Sequence, residues 1–262
     1  ADDLRATPLQ DLVVLGDLVH SRQALTPALQ AQQHRSQLPQ PGQRLVERLS
    51  SREGHQCFVY PVAGRTVHLG LATLLAHRLA QQMPLSVSYA VNDYGLELLV
   101  PRDVDAQALF TPERLREALA STALAQDLDA ALLTSPLAQR RFREIARVAG
   151  LVQVGPPGAQ KSTRQLAASS GLFYEVFRQY DPGHALLQQA HEEVRTLELQ
   201  ASALQQTLAQ LQQCPWQWVA LARPSPLGFP LMVERLREQL SSEKLADRVA
   251  RMLREAEQGL SP

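Results

Sequence analysis

The spacing of apolar residues along this 262-residue chain changes near residue 110. Before that point, RLVERLSSREGHQCFVYPV holds two short β-prone runs separated by residues 51–55, which predicts a hairpin. SVSYAV and GLELLV flank residues 92–95 and predict a second hairpin. Between the hairpins, residues 66–83 are apolar at helical spacing on most sides, as expected of a helix buried against a sheet. This region therefore predicts the order β-β-α-β-β, an antiparallel sheet of about four strands with one packed helix.

From Thr111 onward the apolar spacing is helical. Thr111 and Pro112 predict a helix start, because threonine caps unpaired N–H groups and proline fits the first helical position. Further helices are expected over residues 124–133, 136–150, 162–180, 184–213, 229–240 and 242–257. The predicted fold class is therefore α+β, with the small antiparallel sheet followed by a helical bundle that contains one long helix.

A heptad of apolar residues predicts that long helix. Its members alternate by three and four positions: Leu187, Ala190, Val194, Leu197, Ala201, Leu204, Leu208 and Leu211. At 1.5 Å per residue, a helix over residues 184–213 is about 45 Å long. Packing inside its own bundle is the favoured interpretation, because two alanines interrupt the seam. Pairing with a second copy of the chain, which would make a homo-oligomer, is the alternative.

The same patterns divide the chain into three segments. Residues 1–38 form an N-terminal helical segment or linker, in which Thr26 and Pro27 are the expected helix start. Residues 39–110 hold the sheet with its packed helix. Residues 111–262 form the helical bundle, and we expect the sheet and the bundle to make one continuous domain.

Composition narrows the class of protein. The 26 cationic and 26 acidic side chains give a net charge of zero, so any basic surface must be local. Cys57 and Cys214 lie far apart, which argues against a disulfide framework or a zinc site and fits a reducing cytoplasm. No apolar run approaches about 20 residues, so no membrane contact is expected. The start at Ala1, with the first methionine at Met83, predicts a segment of a longer protein.

The stretch GPPGAQKST, at residues 155–163, looks like a phosphate-binding loop but lacks its chemistry. A Walker A loop is GxxxxGK[ST], and Gln160 stands where the glycine before the lysine is required. Its two prolines also remove N–H groups that a phosphate would need as donors. An ATP site is therefore not predicted here, and no cofactor is assigned to the chain.

A basic strip surrounds that loop and is the candidate nucleic-acid interface. Arg140, Arg143 and Arg147 are spaced by three and four, so they share one face of the predicted helix. Phe142 and Ile145 supply its apolar face. Such a strip suits contact with the phosphates of a strand, whereas a solvated basic helix face is the alternative interpretation.

The start of the next predicted helix extends the basic strip. Lys161 lies just outside this helix and Ser162 can cap it, which leaves N–H groups that favour a phosphate. Tyr174 stands on the same helix as Arg178 and is the candidate for stacking on a base. The predicted DNA contacts are Arg140, Arg141, Arg143, Arg147, Lys161, Ser162, Arg164, Tyr174 and Arg178.

No catalytic site is predicted. Residues 92–95, Asn-Asp-Tyr-Gly, favour turn chemistry over a catalytic acid. His184 and His191 lie seven residues apart on one predicted helix, about 10 Å along its axis, which is too far to share a metal. Neither HExxH nor GxSxG occurs. The aromatic side chains expected in the core are Phe173, Phe177, Tyr180, Trp216 and Trp218.

Three blocks of the sequence resemble one helicase family. The blocks are NDYGLELL (92–99), RRFREIARVAGLVQVGPPGAQKSTRQLAASSGLFYEVFRQYDP (140–182) and PSPLGFPLMVERLREQLSSEKLADRVARM (224–252). Together they resemble the C-terminal region of bacterial Lhr-type helicases, and more narrowly the ligase-associated DEXH-box helicases of superfamily 2. The resemblance runs from about Arg44 to Arg251, whereas residues 1–36 match poorly.

The resemblance implies an accessory domain without its motor. In that family, two RecA-like lobes and a winged-helix domain lie upstream, and ATP and magnesium drive 3′-to-5′ translocation on single-stranded DNA in bacterial DNA repair. The chain itself would be non-catalytic and cytoplasmic, with the DNA strand and those upstream domains as partners. The alternative is an assembly module that docks on the motor lobes or on a second copy. A helix-turn-helix regulator is disfavoured because the loop after residue 150 is too long.

Overall fold

The computed structural model describes residues 18–40, 42–83, 85–133, 136–152, 163–237 and 242–257. The chain forms two compact units, each with its own core. The sheet unit comprises Ala1–Ser121 and Ala203–Pro262, and the helical unit comprises Thr122–Ser202. This arrangement differs from the predicted division near residue 110, because the chain after Ser202 returns to the sheet unit.

One mixed sheet organises the sheet unit. Its strands are β1 (Arg44–Ser51), β2 (Gly54–Tyr60), β3 (Ser88–Val91), β4 (Leu96–Val100) and β5 (Trp216–Leu221). In the order β3-β4-β2-β1-β5, the first four strands are antiparallel as predicted, whereas β5 runs parallel to β1. The predicted α+β class is confirmed, and the sheet has one strand more than expected.

Eleven α-helices lie in the described part of the chain. In chain order they are α1 (Leu18–Arg35), α2 (Arg65–Gln82), α3 (Ala106–Leu109), α4 (Pro112–Ala118), α5 (Leu124–Leu133), α6 (Pro136–Val148), α7 (Thr163–Tyr180), α8 (Ala185–Glu193), α9 (Ala201–Gln213), α10 (Gly228–Arg237) and α11 (Ser242–Glu257). The predicted cap of α4 is confirmed, because Thr111 Oγ1 accepts a hydrogen bond from the N–H of Arg114 at 3.2 Å. No helix among these has the length and apolar character needed to cross a membrane.

Two helix predictions are wrong. Pro27 lies inside α1, which already begins at Leu18, so Thr26 is not the start of that helix. The long helix predicted over residues 184–213 is broken, because a π-helical turn at Val194–Glu198 follows α8. Gln200 then takes a φ of 44°, in the left-handed region, immediately before α9 begins.

The broken helix removes the continuous seam that pairing with a second copy would need. Most of the heptad is buried inside the chain: Leu187, Ala190, Val194, Leu204, Leu208 and Leu211. Leu197, in the π-helical turn, is exposed instead. The favoured interpretation is that the heptad packs inside a single bundle, but the structure divides it: Leu187, Ala190 and Val194 belong to the helical unit, and Leu204, Leu208 and Leu211 to the sheet unit.

Tight turns fix the two hairpins of the sheet. Gly54, the first residue of β2, has a φ of 143°, and a Cβ there would lie 2.2 Å from the carbonyl oxygen of Val100. Only glycine fits this approach. In the second hairpin, Asn92 Oδ1 accepts hydrogen bonds from the N–H groups of Tyr94 and Gly95 at 3.2 and 2.9 Å. The turn interpretation of residues 92–95 is therefore confirmed.

The C-terminal helices complete the core on one face of the sheet. There, α10 and α11 pack apolar side chains against β1 and β2, and the cluster comprises Leu45, Leu49, Phe58, Tyr60, Leu231, Met232, Leu236 and Met252. Burying each of these large apolar side chains contributes about 1.5–3 kcal/mol before entropy is counted. This packing explains why the end of the chain belongs to the sheet unit.

A buried carboxylate, Glu47, ties distant segments of the sheet unit together. Its oxygens accept hydrogen bonds from Gln32 Nε2 at 2.7 Å, Tyr60 Oη at 2.7 Å and Ser225 Oγ at 2.5 Å. A fully buried carboxylate is tolerated because these donors replace the water that it loses. The three bonds join α1, β2 and the loop before α10 to the centre of β1.

A second buried carboxylate, Glu97 on β4, shares one guanidinium with Glu53. Arg235 on α10 donates to Glu97 at 3.2 Å and to Glu53 at 2.5 Å, and Arg248 also pairs with Glu53. Burial raises the pKa of Glu97 to about 7, although Arg235 opposes the rise. Burial also acts to raise the pKa of Glu53, but Arg248 and Arg235 together hold it below its usual value.

The helical unit has an aromatic core. Phe142 on α6 and Tyr174 on α7 are both fully buried, with their rings edge to face and their centroids 5.5 Å apart. Phe177 continues this contact and stacks on His184 at 3.8 Å. α6 contacts both α7 and α8, and α5 contacts α6. α6 is therefore held in place by its neighbours, which fixes the direction of its outer face.

Candidate nucleic-acid interface

The basic helix α6 is amphipathic, as its sequence predicts. Phe142 and Ile145 are buried, whereas Arg140 and Arg147 are exposed and Arg143 is half-buried. The apolar side chains thus anchor α6 in the core of the helical unit, and its arginines lie along the opposite side. This is the arrangement that a backbone-contacting surface requires, because the cations reach solvent from a fixed helix.

Two arginines of α6 have no acidic partner among the described residues. Arg140 makes no ion pair there, and Arg143 Nε is buried without a hydrogen-bond acceptor. Arg147 instead pairs with Glu144 at 3.0 Å, and both side chains are more than half exposed. An exposed pair of this kind is weak, so a phosphate can compete for Arg147.

Arg141 has a different setting from its neighbours. Its guanidinium lies 3.0 Å from Glu198 in the π-helical turn and 3.6 Å from Glu193 at the end of α8. Less than a third of the side chain is exposed. These contacts hold α6 against the end of α8 and the π-helical turn, so Arg141 is better placed for structure than for binding a strand.

The structure corrects the role predicted for Tyr174. Its ring is fully buried, and its hydroxyl donates toward the carbonyl oxygens of Leu132 and Leu133 at 3.2 Å. Phe142 and His191 lie edge-on to the ring, with centroids 5.5 and 6.4 Å away. Burial raises the pKa of Tyr174 to about 12. A ring enclosed in this way cannot stack on a base without opening the core.

The remaining predicted contacts fall into two groups. Arg178 is exposed and donates to Glu175 at 2.5 Å, and Gln139 of α6 donates to the same carboxylate at 3.3 Å. Arg178 therefore lies on the side of α7 that faces α6. Lys161 and Ser162 lie outside the described residues together with most of GPPGAQKST, and Arg164 is described only as part of the backbone of α7.

An exposed apolar stripe on α7 was missed by the sequence analysis. Leu172, Val176 and Tyr180 are 66, 41 and 75% exposed, and their spacing of four places them on one helix face. The prediction that Tyr180 lies in the core is therefore wrong. The spacing itself was visible in the sequence, but it cannot distinguish an apolar face that is covered by the same chain from one that is not.

Two tryptophans of the sheet unit, Trp216 and Trp218, are partly exposed. Trp216 and Trp218 are half-buried on the edge strand β5, and the guanidinium carbon of Arg48 lies 5.5 Å from the centre of the Trp218 ring. Trp216 Nε1 donates to the carbonyl oxygen of Leu211 at 3.1 Å. Both side chains thus have contacts within the sheet unit.

The described residues contain no group of histidine, cysteine and acidic side chains that could hold a metal.

Comparison with known proteins places the chain among helicase-associated sequences. The family model described as "DEAD/H associated" matches residues 38–228. Among solved structures, the Mycobacterium smegmatis helicase Lhr, described as bound to ssDNA and AMP-PNP, is similar, with a TM-score of 0.67 and 20% sequence identity. The similarity covers 81% of this chain and 27% of that one, so the chain spans about a quarter of the length of that helicase. A search of curated proteins finds no significant match.

Proposed function

The chain belongs to the DEAD/H associated family, and from this premise we propose that it is an accessory domain of an Lhr-type helicase that contacts single-stranded DNA. The parent protein would use ATP and magnesium for 3′-to-5′ translocation in bacterial DNA repair, and would act in the cytoplasm. The chain itself would be non-catalytic. In it, Gln160 stands where a nucleotide-binding loop needs glycine, so the motor is assigned to other parts of such a protein.

One observation carries this proposal. The chain shares its fold with a helicase whose structure is described as bound to ssDNA, and the family match includes α6 and its arginines. At 20% identity the likeness itself concerns the fold. The charge on α6 then supplies the chemistry, because Arg140 is exposed without an acidic partner among the described residues and Arg147 has only an exposed one, so both can bind phosphate with little rearrangement.

We assign the contact to the outer side of α6. Arg140 and Arg147 would each reach a phosphate, and Arg143 would support them from its half-buried position. Such contacts position a strand without selecting its sequence, which suits a protein that moves along DNA. Lys161, Ser162 and the start of α7 remain proposed contacts, because a helix N-terminus offers unpaired N–H groups to an anion.

Fluorescence anisotropy with a labelled single-stranded oligonucleotide tests the assignment. The 262-residue chain and the variant Arg140→Gln/Arg147→Gln would be titrated at several salt concentrations. Each phosphate contact to a single strand adds about 0.7 to the slope of log affinity against log salt. We therefore expect the variant to bind roughly tenfold more weakly at low salt and to lose about 1.4 from that slope.

A charge-matched control separates local contact from general attraction. Arg102→Gln/Arg116→Gln removes two exposed arginines of the sheet unit, which make no ion pairs among the described residues. This control should bind the oligonucleotide as the unaltered chain does. Equal losses in both variants would show that overall charge attracts the strand, and the assignment to α6 would then be rejected.

A second candidate function is docking on the motor lobes of the same kind of helicase. The observation that favours it is the apolar stripe of Leu172, Val176 and Tyr180, since exposed apolar residues grouped on one helix face are typical of contact surfaces. In this hypothesis α7 packs against a RecA-like lobe and the domain acts only when docked. Failure of the isolated chain to bind the oligonucleotide even at low salt would favour docking over direct strand contact.

A further inference from the structure

A positively charged cavity lies in the sheet unit, at the edge where β1 and β5 end. These two strands are parallel neighbours, so the turn after Ser51 and the loop after Leu221 emerge side by side. α11 passes over the same edge. The cavity between these segments has a volume of about 390 Å³. In size it corresponds to a site for a small organic ligand.

Arginines from three separate segments surround this cavity. Arg52 comes from the β1–β2 turn, Arg223 from the loop after β5, and Arg248 and Arg251 from α11. The last two are three residues apart, so they lie on one face of the helix. Glu53 is the one acidic side chain among the described residues of the lining. The fold thus gathers four cations from three segments that are distant in sequence.

The single carboxylate does not neutralise the arginines of the cavity. One oxygen of Glu53 accepts a hydrogen bond from Arg235 at 2.5 Å, and the other pairs with Arg248. Arg52, Arg223 and Arg251 have no acceptor among the described residues. Among the described residues of the lining, four guanidinium groups face one carboxylate, which gives the site a net positive charge that attracts an anion.

The floor of the cavity differs in character from its rim. Leu49, Met232 and Met252 line the floor and belong to the apolar core. A ligand that fits both parts carries a charged group toward the arginines and a less polar group toward the floor. A nucleotide unit has these two parts, because its phosphate is anionic and its base is largely apolar on both faces.

We propose that this cavity, the arginine cavity, is a binding site for the phosphate of a nucleotide unit. Arginine suits this ligand because its planar guanidinium donates two parallel hydrogen bonds to phosphate oxygens. The site goes beyond the proposed function, since it lies in the sheet unit and uses none of the residues of α6 or α7.

A neighbouring cavity provides room for the rest of a larger ligand. It has a volume of about 880 Å³ and shares Ala222, Arg223 and Pro224 with the arginine cavity. His34 and Phe229 also line it. Arg223 therefore stands between two adjoining depressions. The phosphate can come from a mononucleotide that fills the first cavity or from a strand that continues into the second.

Three probes distinguish these sources: inorganic pyrophosphate, dAMP and a 12-nucleotide single strand. Affinities of the 262-residue chain would be measured by calorimetry, with Arg223→Gln/Arg251→Gln as the test variant. Arg102→Gln/Arg116→Gln serves as the charge-matched control. We expect the test variant to bind at least one probe about tenfold more weakly, and the control to bind all three unchanged.

The pattern of losses identifies the ligand. Weaker binding of dAMP and pyrophosphate supports a mononucleotide, and weaker binding of the strand alone supports a strand phosphate. Equal affinities of the test variant and the unaltered chain for every probe would overturn the proposal, as would failure of the unaltered chain to bind any of them. Arg140→Gln/Arg147→Gln, measured alongside, reports on α6 separately, so each proposal can fail without the other.

A folding defect in the test variant is excluded independently. Arg223 and Arg251 are exposed, and neither has a partner among the described residues whose loss would destabilise the unit. Urea unfolding of the variant should match that of the unaltered chain. Arg52→Gln, in a different segment, gives a second variant that should weaken the same probes.

Discussion

The two units of the chain use charged side chains in opposite ways. In the sheet unit, Glu97 on β4 and Arg235 on α10 are buried and form an ion pair. In the helical unit, Arg140 and Arg147 lie at the surface of α6, where Arg140 has no acidic partner within the described part of the chain and Arg147 has an exposed one. The net charge of zero conceals this difference. Charge that holds the fold together and charge that is available to a ligand are separated by position, not by residue type.

Arg141 shows how fine that separation is. It stands next to Arg140 on the same helix, yet its guanidinium is engaged by Glu193 and Glu198. A shift of one position rotates a side chain by about 100° around the helix, which is enough to move it from the surface toward a neighbouring element. Counting arginines along α6 therefore overestimates the number available to DNA.

Replacing Arg235 tests the buried side of the comparison and should have the largest effect. Arg235→Met leaves Glu97 buried without its cation, and we expect the free energy of unfolding to fall by about 3–5 kcal/mol. Urea denaturation measures this change. Arg237→Met is the matched control, because Arg237 lies two residues on, is mostly exposed, and pairs with Glu234 at the surface. A loss below about 1 kcal/mol is expected there, and similar losses in both variants would contradict the distinction.

The protonation of Glu97 gives the buried pair a pH dependence of moderate size. Its pKa is about 7 in the folded chain, above the usual 4.5, so the folded state binds more protons between these values. The uptake of this proton by the folded chain therefore stabilises the fold. The stabilisation is fully present below pH 4.5 and is lost as the pH rises toward 7. In the unaltered chain, the free energy of unfolding should fall by about 1–3 kcal/mol across this window because of Glu97. We expect this fall to be absent from Glu97→Gln.

Unfolding midpoints in urea at pH 5, 6 and 7 measure this effect. The two proteins are compared by how steeply the midpoint changes with pH and not by their absolute stabilities. Glu97→Gln also weakens the contact with Arg235, which shifts the midpoint at every pH. All seven histidines are present in both proteins, so the difference between the two curves isolates Glu97. Parallel curves would show that Glu97 is ionised throughout the window.

Most of the secondary structure follows from local patterns. The hairpin of β1 and β2, α5, α11 and the cap of α4 were predicted because their signals lie within a few consecutive residues. β5 was not predicted, since the evidence for it is its pairing with β1, about 170 residues earlier in the chain. The division into two units was missed for the same reason. The family, suggested by three blocks of sequence, is confirmed by the match over residues 38–228.

The candidate site was less predictable than the fold. Helical spacing placed Arg140, Arg143 and Arg147 on one side of α6, and the structure agrees. It could not show that Tyr174 fills the core, because stacking and packing favour the same kind of side chain. The arginine cavity could not be found from sequence at all. Its arginines come from three segments, which are brought together by the parallel pairing of β1 with β5 and by the packing of α11 over the ends of these strands.

Replacing the surface arginines completes the comparison, with the smallest expected effect on stability. Arg140→Gln/Arg147→Gln removes two exposed cations and one surface ion pair, so the free energy of unfolding should change by no more than about 0.5–1 kcal/mol. The same variant should lose most of its affinity for single-stranded DNA. A loss comparable to that of Arg235→Met would show that these arginines support the fold. A loss of DNA affinity with no loss in the free energy of unfolding would instead mean that Arg140 and Arg147 serve ligand binding, because they then do not stabilise the helical unit.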